Sequence, residues 1–121
     1  MAFPPVYNVE VLFPSGRKQR VKVHDEVNTL RLVSTAVGAA AIRRLLEEGG
    51  RAAEEALSFR ILTRNRSAPL VGFRWTQSGR VIAESHVPKL GLTRDEFRLH
   101  LMCVAHEADR LEQLLTGEDR N

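Results

Sequence analysis

The chain has 121 residues, 43% of them hydrophobic and 27% charged, with a formal net charge of +3. That length sets a single domain, residues 1–121, as the expectation and is enough to bury a core; the composition excludes general disorder. The one cysteine, Cys103, excludes a disulfide framework, no apolar run approaches the ~20 residues of a membrane helix, and "MAFPPVYNVE" lacks a secretory pattern, so a cytoplasmic protein is expected.

The first expected element is a β-hairpin over about 6–24. In "VYNVEVLF", Tyr7, Val9, Val11 and Phe13 alternate with Val6, Asn8, Glu10 and Leu12, the period of a half-buried strand. Pro14-Ser15-Gly16 supplies turn chemistry. "RKQRVKVH" then turns Val21 and Val23 inward and Arg20, Lys22 and His24 outward.

Residues 28–33 allow two readings. Leu30 and Leu32 alternate as in a third strand, but a helix capped by Asn28 or Thr29 is the preferred reading. The helix is expected over about 29–57, with Val37, Ala40, Ala41, Ile42, Leu45 and Leu46 as its apolar face. A break falls at Gly49-Gly50, and "RAAEEAL" reads as a helical return.

Three strands are expected over about 58–87: "SFRILTR", "LVGFRWTQ" and "RVIAESHV", the last two joined through Ser78-Gly79 and ended by Pro88. A long helix over about 93–116 closes the chain. "TRDE" is a capping box built on Thr93 and Glu96, and Leu92 with Phe97 makes a hydrophobic staple. Phe97, Leu101, Val104, Ala108, Leu111 and Leu115 recur at spacings of four and three, one stripe that must be buried. Gly117 suits the helix stop, and "EDRN" is expected to fray. The order ββαβββα describes an α+β fold with a mainly antiparallel sheet of about five strands and two main helices.

That last helix carries His100, Cys103 and His106. Steps of three drift around a helix by about 60°, so the two histidines stand roughly 120° apart and do not converge on one ion. The zinc signature His-Glu-x-x-His is absent, and His24 and His86 lie on other elements. A mid-helix cysteine gains little thiolate stabilisation. There is no nucleophile elbow, phosphate loop or dinucleotide turn, and Glu47-Glu48 and Glu54-Glu55 sit beside arginines as solvated faces. No enzyme, metal site or cofactor is expected.

Two surfaces remain. Arg17, Lys18, Arg20 and Lys22 on the hairpin, with Arg60, Arg64, Arg66 and Arg74 (and Arg80) on later strands, would form a basic sheet face able to follow a phosphate backbone. Phe73 and Trp75 flank Arg74 but point to the opposite face, which suits a core or a protein interface better than base stacking.

From Ser58 to Leu115 the sequence resembles the C-terminal half of YbjN-like and type III secretion chaperone-like domains. The matching features are Asn65 at a strand end, "GFRWTQSGRVIAESHVP", and "LGLTRDEF" opening a final amphipathic helix. The resemblance implies an α+β domain without catalytic residues that dimerises and binds polypeptides. This chain differs in opening on a hairpin and in being basic. The reading is a non-catalytic protein-binding module with a chaperone-like or adaptor role, homodimeric, with Phe73 and Trp75 at the interface. The alternative is a small nucleic-acid-binding protein using the arginine-rich face.

Overall fold

A computed structural model describes residues 5–116. Five strands and two helices follow in the order β1 (Val6–Leu12), β2 (Lys18–Asp25), β3 (Thr29–Val37), α1 (Ala39–Ser67), β4 (Gly72–Trp75), β5 (Val81–Pro88) and α2 (Arg94–Thr116). The strands form one antiparallel sheet, ordered β1-β2-β3-β5-β4. The fold is α+β, with a five-stranded sheet and two helices.

Two segments differ from the sequence expectation, and their errors cancel in the strand count. Thr29–Val37 is a strand, not the opening of a helix, so the element order is βββαββα. It lies at the sheet centre, and Leu32 on one face and Val33 on the other are both buried. A strand buried on both faces loses its alternation and reads like a helix segment. Ser58–Arg64, expected as a strand, forms the last turns of α1. Phe, Ile and Thr gave it a strand composition, but Leu57, Ile61 and Arg64 lie at helical spacing and turn inward, while Phe59 and Leu62 stay exposed. The helix therefore runs over 39–67 instead of 29–57, and only two strands lie within 58–87.

Helix α1 bends where Gly49-Gly50 foretold a break. Gly50 takes φ 61° and ψ −145°, a conformation open to glycine almost alone, and the chain then re-enters the helix. Asn65 sits near the helix end, not at a strand end. Its side-chain amide donates to the Phe73 carbonyl (3.1 Å) and accepts from the Phe73 N–H (2.7 Å), stitching α1 to β4.

Helix α2 lies across β2, β3 and β5 on one face of the sheet. Thr93 Oγ1 accepts from the Glu96 N–H (3.1 Å), and Glu96 Oε1 accepts from the Thr93 N–H (3.0 Å), the reciprocal capping box. Val104, Ala105, Ala108 and Leu111 are buried, and Phe97, Leu101 and Leu115 pack at the margin. The two alanines keep the helix close to the strands. Gly117 and the tail after it lie outside the described residues.

Strands β2 and β3 pair from Lys22↔Val33 to Asp25↔Leu30 and then diverge. Side chains take over at the fork. Ser34 Oγ donates to the Arg20 carbonyl (2.6 Å), and Gln19 Nε2 donates to the Thr35 carbonyl and to Ser34 Oγ, both at 2.9 Å. Buried backbone groups thus stay satisfied where the ladder stops.

Because α2 is held by its cap as well as its stripe, Thr93→Ala should lower stability by about 1 kcal/mol. Urea unfolding should show an earlier midpoint at unchanged slope.

Candidate functional site

The reactive side chains of α2 are dispersed by the fold. His100 Nδ1 lies 3.0 Å from Ser85 Oγ on β5, whereas His106 packs on the Phe13 ring beyond β1, centroids 4.8 Å apart. Cys103 is half-buried between them, and burial, then the nearby Glu107 charge, pushes its thiol pKa up. That is the opposite of what a nucleophilic thiolate needs. Among the described residues no three His, Cys, Asp or Glu side chains cluster as a metal-binding group.

The basic residues do not share one face. Arg17 turns to the helix side, where its Nε donates to Asp109 of α2 at 3.0 Å. Arg60, Arg64 and Arg66 belong to α1, not to a strand. Arg64 forks onto Glu107, with Nε to Oε1 at 2.8 Å; this hydrogen bond raises the Arg64 pKa against a smaller opposing effect of burial. Lys18, Arg20, Lys22 and Arg74 do lie on the sheet face away from α2, joined there by Arg31, which the sequence reading had not singled out.

On that outer face Arg74 Nε meets Glu84 at 2.9 Å, and Arg31 bridges Glu26 (3.0 Å) and Glu84 (3.7 Å). Burial pushes the Glu84 carboxyl up, but Arg74, His86 and Arg31 together hold it below the ordinary value. His24, Arg31 and His86 form a row in register across three strands. Burial, then the Arg31 charge, lowers the His24 pKa, with Lys22 adding to this and Glu26 opposing it.

Phe73 and Trp75 point to the helix side. Phe73 is 6% exposed and part of the core; Trp75 is half-buried against it. Phe73 offers no free aromatic surface but floors a groove of about 500 Å³ between α1 and α2. The groove is walled by Ala56, Phe59 and Thr63 on α1 and by Arg110 and Leu114 on α2. Phe59 is 70% exposed, Leu62 55% and Leu114 53%. This apolar edge was missed because Ser58–Arg64 was read as a strand; the three-residue step from Phe59 to Leu62 was the available signal.

The architecture is similar to a chain in the crystal structure of the ExsC-ExsE complex, with TM-score 0.59 and 19% identity over 89% of this chain and 75% of that one. It is also similar to a chain in the heterodimeric complex ExoU-SpcU from the type III secretion system of Pseudomonas aeruginosa, with TM-score 0.54 and 13% identity over 89% and 82%. At these identities the likeness is one of fold alone. No protein-family model matches the sequence, and no curated protein matches it significantly. No helix among the described residues is long and apolar enough to cross a membrane.

Two measurements check these environments. Cys103 should react with a thiol reagent at neutral pH more slowly than free cysteine, and its rate should rise on unfolding. Below the ordinary histidine pKa of about 6.5, the unfolded chain takes up a proton that folded His24 resists. Stability should therefore fall as pH drops from about 7 toward 5, and His24→Gln should flatten that fall.

Proposed function

We propose that this chain is a non-catalytic, chaperone-like protein that works in the cytoplasm, binds a polypeptide partner and forms a homodimer. The observation that carries the reading is the outer edge of α1. Its second half is attached to the rest of the molecule mainly along β4 and through Arg64–Glu107, and Phe59 and Leu62 face solvent beside an apolar groove. An exposed apolar stripe next to a groove of matching character suits a two-fold contact, in which each copy offers both parts. The fold likeness supports the polypeptide-binding role, because both similar chains come from structures of two-protein complexes.

Light scattering tests the assembly. The wild type should run at twice the 13.6 kDa chain mass, and Phe59→Asp with Leu62→Asp should run as a folded monomer. A monomeric wild type at high concentration would remove the dimer from the proposal. Purification from the native cell tests the partner: a stoichiometric polypeptide that survives nuclease treatment is expected, whereas a bound nucleic acid would favour the alternative.

A further inference from the structure

We infer that the outer sheet face, centred on the fork between β2 and β3, is a docking surface for an acidic segment of a polypeptide. The inference rests on the polypeptide-binding reading and gives it a second surface, away from α1.

The fork opens a cavity of about 410 Å³ lined by Arg20, Lys22, His24, Arg31, Arg74 and Arg80. Two carboxylates on this face are already engaged, Glu84 by Arg74 and Arg31 and Glu26 by Arg31. Among the described residues the Arg80 guanidinium has only the Thr35 hydroxyl as partner, at 2.9 Å. Arg20 and Lys22, with Lys18 beside them, make no ion pair among the described residues, although Glu10 stands opposite Arg20 in register. The surface thus presents unpaired cations, Lys18, Arg20 and Lys22, beside an apolar floor.

The same face argues against a nucleic acid. Its floor is Val33 and Ile82, 7% and 2% exposed, and the aromatic side chains of β4 point the other way, so bases have no stacking platform. Glu10, Glu26 and Glu84 interrupt the positive charge and would repel a continuous phosphate backbone, whereas a polypeptide can place its carboxylates between them.

Fluorescence anisotropy at low salt decides the matter, with a short labelled peptide alternating glutamate and threonine as probe. Its lysine counterpart and an oligothymidylate of equal charge serve as comparisons. The acidic peptide should bind in preference to both. Arg20→Glu with Lys22→Glu should weaken it about tenfold or more, while Phe59→Asp with Leu62→Asp should leave it unchanged. Arg20→Gln with Lys22→Gln, a milder pair at exposed positions, should give a smaller loss and carries the test if charge reversal disturbs folding. No binding of the acidic peptide, binding indifferent to both sheet variants, or an oligothymidylate bound as tightly would overturn the inference. Any of these would leave intact a dimer broken at α1 and a polypeptide co-purified from the cell.

Discussion

The burial of β3 is the constraint on which the remaining structure depends. It pairs with β2 on one side and β5 on the other, and α2 lies along it. Leu32 is sealed under the helix, yet Val33 is almost as inaccessible on a face with no second layer of secondary structure. In register, Val33 stands between Lys22 and Glu84, and Ile82 stands between Thr35 and Arg74. Long charged side chains can cover apolar neighbours with their methylene stems while keeping their heads in water. The basic residues of this face therefore roof a small apolar layer as well as carrying charge.

That constraint also explains which parts of the fold were legible in the sequence. The first hairpin alternates cleanly because it is covered on one side only. The last helix was legible because cap, staple and stripe agree, from Thr93 and Leu92 through Leu115. Thr29–Val37 was not, because burial on both faces erased its period. Ser58–Arg64 was not, because its composition suits a strand while its position continues a helix already begun. Both errors come from tertiary context overriding local preference, and they meet the same helix at its two ends, one just before α1 and one in its last turns.

The site was less legible than the fold. The dispersal of His100, Cys103 and His106 follows from helical spacing and needed no coordinates. The α1 edge could not be seen while "SFRILTR" was read as a strand, whose period of two puts Phe59 and Leu62 on opposite faces. The basic face was only half right: Lys18, Arg20, Lys22 and Arg74 share it, but Arg17 is spent on Asp109 and Arg64 on Glu107. Whether a cation is available to a ligand depends on such long-range pairings, which sequence distance hides.

The amide of Asn65 has a wider consequence. By holding both the N–H and the carbonyl of Phe73, it fills one of the two outward-facing hydrogen-bonding positions of a four-residue edge strand. An open sheet normally has two such edges, and two open edges permit end-to-end growth into fibres. Here one edge is stoppered by a side chain that imitates a peptide bond, leaving β1 as the longer open edge. Strand pairing between copies would then stop after a single step, a built-in safeguard against runaway assembly.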